Sequence, residues 1–252
     1  MPTQKLVTIE SWSYSRSQTY QACPLRARFL YVDKLKEPEG KSPALAHGTR
    51  VHALAAAWVT KRLPDFTAWD GKELLQYKDE LERVIKQKKI PTELQRFEKE
   101  FGRLIKSKAR CEEMWCLDKQ WEIIPGSGWS PHVWLRIKVD AHFIEDGVAY
   151  IIDHKTGKFN PEHALQRSIY AIGAFAFYPD ATACHVYHWY LDQGIEKGDT
   201  WEVGEAQALK EEWGKRTTAL LSDTSFVATP SPDACRWCSF KRSLGGPCTA
   251  NT

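Results

Sequence analysis

No stretch of the chain stays apolar for the roughly 18 residues a membrane-spanning helix requires. The opening MPTQKLVTIE lacks the apolar core of a secretory signal. A cytoplasmic protein with no membrane partner is expected, in the host cytoplasm if a phage encodes it. A dominant charge is lacking too: 35 Lys and Arg against 32 Asp and Glu leave a net charge of +3, which permits a nucleic-acid partner without demonstrating one. The glycines of a phosphate loop are incomplete. Gly40-Lys41-Ser42 ends like one, but Leu35 stands where its first glycine belongs, and an NTP site is excluded.

What is present is the composition of a folded globule. The 252 residues are 42% hydrophobic and 12% aromatic, enough to bury roughly three-quarters of the unfolded surface in one large domain over 1–252. Residues 1–45 form an N-terminal segment containing Cys23, with a capped helix over 9–36 starting at Ser13 or Ser15. Residues 38–43 read as a linker, and 43–63 as a helix carrying His47 and His52. The stretch 64–113 reads as a helical insertion, its two helices separated by Pro91 and laced with charges in four-residue steps. A core over 114–222 follows, with strands at 114–124, 133–143 and 148–153, a helix from near Pro161, strands at 181–194 and 195–203, and an amphipathic helix at 204–222. Residues 223–252 are a tail rich in turn residues and cysteine. Most of the 11 tryptophans are expected in the core, with a few free to stack on unpaired bases.

The run from Val133 to Tyr170 is the chemical centre. Val133, Leu135, Ile137 and Val139 alternate with Trp134, Arg136, Lys138 and Asp140, as in a half-buried strand. Glu145-Asp146-Gly147 signals a turn, and a hairpin across it carries Asp140 toward Asp153. Asp153 and Lys155, two apart, share a strand face; Gln166 and Tyr170, four apart, share a helix face. Carboxylates beside a lysine suit phosphodiester hydrolysis, because hard oxygens bind Mg²⁺ or Mn²⁺ and the lysine orients or helps deprotonate a water. In a chain that is 27% charged, an Asp-x-Lys spacing alone is as well explained by a surface ion pair.

The run IIDHKTG followed by QRSIY, with Val139-Asp140 upstream and Gly48-Thr-Arg-Val-His52 earlier, resembles the PD-(D/E)XK nucleases of the RecB and AddB type, including CRISPR-associated and phage exonucleases. The resemblance spans about three-quarters of the chain in order and spacing. Val139 replaces the proline of the motif name, and His154 stands where many relatives carry tyrosine. The resemblance implies an α/β fold with a restriction-endonuclease-like αβββαβ core. It implies metal held by His52, Asp140, Asp153 and the main-chain carbonyl of His154, and catalysis by Asp140, Asp153 and Lys155, with Gln166 bracing the lysine or a phosphate and Tyr170 lining the strand path. His47 is left as structural.

Seven cysteines in a cytoplasmic chain point to metal ligands or buried thiols before disulfides. By the same resemblance, Cys23, Cys235, Cys238 and Cys248 are the ligands of a 4Fe-4S cluster stapling the two ends, with a structural zinc as the alternative. Cys111, Cys116 and Cys184 fit no ligand pattern. Arg26 and Arg28, next to Cys23, are candidates for DNA phosphate contacts. The function implied is a Mg²⁺- or Mn²⁺-dependent DNA exonuclease acting on single strands or duplex ends in recombination, repair or phage DNA metabolism, with a helicase or recombinase as a possible partner. The competing reading is an inactive DNA-binding or assembly module with a cysteine-ligated metal.

Overall fold

The computed structural model describes residues 7–37, 42–67, 71–125 and 130–250, so most of the expected 38–43 linker lies outside the described residues. In chain order the helices are α1 (Tyr14–Ala22), α2 (Pro24–Tyr31), α3 (Pro43–Thr60), α4 (Lys78–Lys86), α5 (Glu98–Lys106), α6 (Ala164–Phe177), α7 (Ala206–Ser222) and α8 (Pro232–Arg236). The strands are β1 (Arg110–Leu117), β2 (Leu135–Glu145), β3 (Val148–Lys155), β4 (Ala183–Tyr190) and β5 (Ile195–Glu202). No described helix is long and apolar enough to cross a membrane.

Two expected boundaries moved, each for a local reason. The single helix over 9–36 is two, because Cys23 precedes Pro24 and is driven extended (φ −165°, ψ 112°) by the proline ring. Ser13 caps the first, its Oγ accepting the Arg16 N–H at 3.3 Å. The expected insertion over 64–113 overruns: α5 stops at Lys106, Lys108 takes a left-handed φ of 51°, and β1 begins at Arg110 rather than Met114. A stop made by a left-handed lysine instead of a glycine leaves no mark in the sequence.

The five strands form one mixed sheet in the order β1-β2-β3-β4-β5. β2 and β3 pair antiparallel from Glu145↔Val148 to Ala141↔Ile152. Their turn places Asp146 at φ 51° and Gly147 at φ 75°, the paired left-handed conformation that Asp-Gly supports in a two-residue hairpin. β3 and β4 pair parallel, with α6 as the crossover, and β5 returns antiparallel to β4. This is the α/β arrangement expected of a restriction-endonuclease-like core.

β2 does not alternate regularly. Ile137 packs where a Cβ on Gly173 of α6 would sit, and His142 lies against Phe177 and Tyr178 at the end of α6, although residues five apart in a regular strand face opposite ways. The phase slips at Asp140–Ala141, where the paired ladder also ends. Asp140 and Ala141 both face α3, as at a β-bulge, a device that re-aims a side chain at a site.

The chain divides into two compact units: residues 41–115 with 137–209, and residues 1–40 with 116–136 and 210–252. The first packs Val51 and Leu54 of α3, Leu81 of α4 and Phe101 and Leu104 of α5 against Ala141, Phe143, Ile152 and Trp189 on one sheet face. The second is built on tryptophan: Trp12 stacks on Trp213 at 5.5 Å and meets Trp134 and Trp121 edge-on. Trp12 and Trp213 are fully buried, so much of the high tryptophan count is core.

Candidate active site

α3 lies close to the end of β3 because Gly48 leaves room: a Cβ there would come within 3.1 Å of Thr156 Oγ1. One turn later His52 points Nδ1 at Asp140 Oδ1, 3.3 Å away. Burial alone lowers the His52 pKa, but Asp140, helped by Glu112 and Asp153, more than offsets it and raises it to about 9. Burial likewise opposes ionisation of Asp140, yet His52 and the His154 N–H, donated to Oδ2 at 2.7 Å, hold that carboxyl well below the ordinary range. His47 turns away and sits 3.3 Å from Asp192.

On the α6 face of β3, Asp153 accepts a hydrogen bond at Oδ1, while its buried Oδ2 has an ion-pair neighbour but no hydrogen bond. The Tyr170 hydroxyl donates to Oδ1 at 2.5 Å, and Lys155 Nζ lies 2.7 Å from Oδ2. Burial and then the Asp153 charge push the Tyr170 pKa far up, so it remains a donor. Lys155 Nζ also donates to Gln166 Oε1 at 2.8 Å, and Gln166 Nε2 donates to the Tyr170 hydroxyl at 3.3 Å. Gln166 and Tyr170 therefore meet the lysine and the aspartate as the shared helix face predicts, although Tyr170 is buried rather than lining an open path.

His154, one residue on, projects to the opposite face. Its ring lies 5.8 Å from that of His52 and packs against Phe101 and Trp189 at 5.5 and 5.8 Å. Burial lowers its pKa to about 4, with Asp140 opposing. Neither ring nitrogen has a hydrogen-bond partner, although both are buried. One nitrogen each of His52 and His154 and one oxygen of Asp140 lie within 4.8 Å of one another, the one such group among the described residues. The imidazole of His154 joins this side-chain group and Asp153 lies outside it; the main-chain carbonyl that the resemblance assigns to residue 154 is a separate donor. This donor set, with its orphaned imidazole, fits a divalent cation.

Glu112, Arg167 and His188 were not singled out by the sequence. Glu112 sits in β1 at a left-handed φ of 56°, with Oε2 2.9 Å from Lys138 Nζ and Oε1 buried without a partner. Burial and then Asp140 raise its pKa, with Lys138 and His52 opposing. Its signal was hidden inside a stretch read as helix. His188 is opposite Asp153 across the β3–β4 ladder, its Nε2 3.7 Å from Asp153 Oδ2, and burial lowers its pKa to about 4. Buried Arg167 is bound to Asp199 at 2.6 Å and reaches His188 Nδ1 at 3.4 Å. The strand expected over 181–194 includes His188 but gave it no task.

These groups open on a cavity of about 1160 Å³ whose lining includes Gly48, His52, Glu112, Lys138, Asp153 and Lys155. Arg62, Lys108 and Arg110 add positive charge to its walls.

The cysteine expectation fares differently. Cys23, Cys235, Cys238 and Cys248 all line one cavity of about 450 Å³ in the other unit, but they are not gathered into a ligand cluster. Thiolates about 2.3 Å from one tetrahedral zinc would stand within about 4 Å of each other, so the zinc alternative does not fit this arrangement, and the 4Fe-4S cluster gains no support from it. Arg26 and Arg28 are engaged with Glu37 at 3.5 Å and Asp33 at 3.3 Å.

A search of curated proteins finds no match. Among solved structures, a candidate exonuclease from Eubacterium rectale is 14% identical, with 84% of this chain and 81% of that one covered and a TM-score of 0.41. The crystal structure of SSO0001 is 15% identical, with 70% and 79% covered and a TM-score of 0.34. Similarity at that level carries no functional argument. The family model of the PD-(D/E)XK nuclease superfamily, by contrast, matches residues 11–243. With that match across nearly the whole chain, the protein belongs to the PD-(D/E)XK nuclease superfamily.

Proposed function

We propose that this chain is a divalent-metal-dependent DNA exonuclease, acting on single strands or duplex ends in recombination, repair or phage DNA metabolism. One observation carries the reading: His52, Asp153 and Lys155 line one large, partly basic cavity, with Asp140 3.3 Å from His52 behind it. The exonuclease assignment is supported by the order and spacing of His52, Asp140, Asp153-x-Lys155 and Gln166-x-x-x-Tyr170.

His52, Asp140, Asp153 and the main-chain carbonyl of His154 would hold Mg²⁺ or Mn²⁺. When bound, the cation would lower the pKa of a water and offset charge on the phosphate oxygens. The protein's own part is orientation. Tyr170 fixes the carboxylate plane of Asp153. Asp153 and Gln166 together hold Lys155 Nζ, leaving it one direction in which to orient the attacking water or a phosphate oxygen. Lys138, Lys108 and Arg110 on the cavity wall suit the backbone of the substrate.

Within the same reading, Cys23, Cys235, Cys238 and Cys248 are the candidate thiolates for an iron-sulfur cluster. Their shared cavity supports this. Brown, visibly absorbing protein after anaerobic purification, bleached by Cys235→Ala, is the expected result; colourless protein removes the cluster.

The test of the nuclease reading is digestion of oligonucleotides labelled at the 5′ or 3′ end with each metal. Shortening from one end is expected. Lys155→Ala is expected to lower cleavage by about 10²- to 10⁴-fold while leaving DNA binding intact. A wild-type chain that binds DNA but cleaves with neither metal is a binding module instead.

A further inference from the structure

The ring of His188 is fully buried, and Tyr170, Tyr190 and His163 meet it nearly edge to face, which fixes its plane. Its two nitrogens face different groups. Arg167, anchored through Nε to Asp199 of β5 at 2.6 Å, brings Nη1 to 3.4 Å from Nδ1. A guanidinium only donates, so Nδ1 must offer its lone pair. An imidazolium would set donor against donor there; the ring is therefore neutral, with its one proton on Nε2. Nε2 lies 3.7 Å from Asp153 Oδ2, and neither atom has a hydrogen bond although both are buried. A matched donor and acceptor thus stand too far apart for a direct bond and too close for a water between them, since each leg of such a bridge takes about 2.8 Å.

We propose that His188 is a positioning residue for Asp153: its Nε2–H supplies the hydrogen bond that Oδ2 lacks once the site is loaded, and Arg167 holds the imidazole in the tautomer that can do so. The inference rests on the reading of this chain as a nuclease and adds to it a residue outside the motif. The register supports it, because His188 is the Cα partner of Asp153 in the parallel ladder and the two strands carry both side chains to one face at one level. Closure by about 0.8 Å suffices, and hydrogen bonds at reacting groups are often long in the unloaded protein and tighten around substrate. With Tyr170 donating to Oδ1 and His188 to Oδ2, the carboxylate is fixed at both ends, and Lys155 keeps its ion pair without having to set the angle.

Long-range proton–nitrogen NMR of the histidine-labelled full chain reads the tautomer directly. His188 is expected protonated at Nε2 and bare at Nδ1, with the Nε2 proton moving downfield on saturation with Mg²⁺. Two substitutions divide the roles of the ring, because a glutamine amide reaches about where Nε2 stands and an asparagine amide only about as far as Nδ1. His188→Asn should lower the single-turnover cleavage rate about 10- to 100-fold at unchanged DNA affinity, the cost of losing a supporting partner, and His188→Gln should recover most of it. A proton on Nδ1, or an Nε2 proton indifferent to Mg²⁺, overturns the proposal whether or not the variants fold, as do equal losses in both. The expected tautomer and shift in a chain that cleaves no DNA would support the hydrogen bond while sinking the nuclease reading, and the opposite tautomer in an active nuclease would do the reverse.

Discussion

The two faces of β3 meet opposite fates one residue apart. Asp153 faces α6, with Oδ1 accepting from Tyr170 at 2.5 Å and Oδ2 in an ion pair with Lys155 at 2.7 Å but without a hydrogen bond. His154 faces the packed helices and has neither nitrogen engaged. On the first face a hydroxyl fixes one carboxylate oxygen while Asp153 Oδ2 and His188 Nε2 stay without hydrogen bonds; on the second, apolar walls fix a ring whose nitrogens likewise have none. The difference separates a side chain oriented by polar neighbours from one oriented by rings alone.

The largest expected break in this contrast is Phe101→Ala. It removes a fully buried ring that packs on both His154 and Trp189 and should cost about 3 to 5 kcal/mol by chemical denaturation, loosening the open face while Asp153 keeps its partners. Tyr170→Phe acts on the other face alone: it deletes the hydrogen bond to Asp153 and should lower cleavage by about 10- to 100-fold with little change in fold, read from single-turnover rates. Gly173→Ala presses on the α6 side from behind, because the new Cβ would meet Ile137 at 2.6 Å and Trp115 at 2.9 Å. Overpacking of about 1 to 3 kcal/mol is expected from the shift in urea midpoint.

The smallest effect is in pH. His154 and His188 are held at about 4 by burial, below their ordinary value, so the unfolded chain binds the extra protons. Their contribution is complete above about pH 6.5 and is lost as pH falls toward 4. His52 runs the other way, raised to about 9, and its contribution is present below about pH 6.5 and lost as pH climbs through 9. Metal-free protein should therefore weaken on both flanks, and His188→Gln should flatten only the acid one. An unchanged acid limb would mean His188 is not held neutral in the fold.

The motif side of this contrast was legible in the sequence and the open side was not. Asp153 and Lys155 share a face because strands alternate, and Gln166 and Tyr170 do so because helices repeat, so local periodicity sufficed for that group. The same alternation said only that residue 154 points elsewhere. What it meets there depends on how α3 and α5 pack, which no local pattern encodes. The slip in β2 and the left-handed Glu112 in β1 were invisible for a related reason, since both replace the residue types that usually announce such geometry. The four cysteines illustrate a further limit: spacing brought them to one cavity but could not specify the distances between their sulfurs.

The sheet's strand order has a consequence for how the molecule comes into being. Each strand lies beside its predecessor in the chain, so none has to be threaded between two that are already joined, and the sheet can be assembled by successive addition at an edge. The longest excursion between successive strands is the one through α6, which carries the chain from β3 to a parallel β4. Gln166 and Tyr170 arrive on that excursion, so the groups that hold Lys155 and Asp153 in place are delivered only when α6 docks.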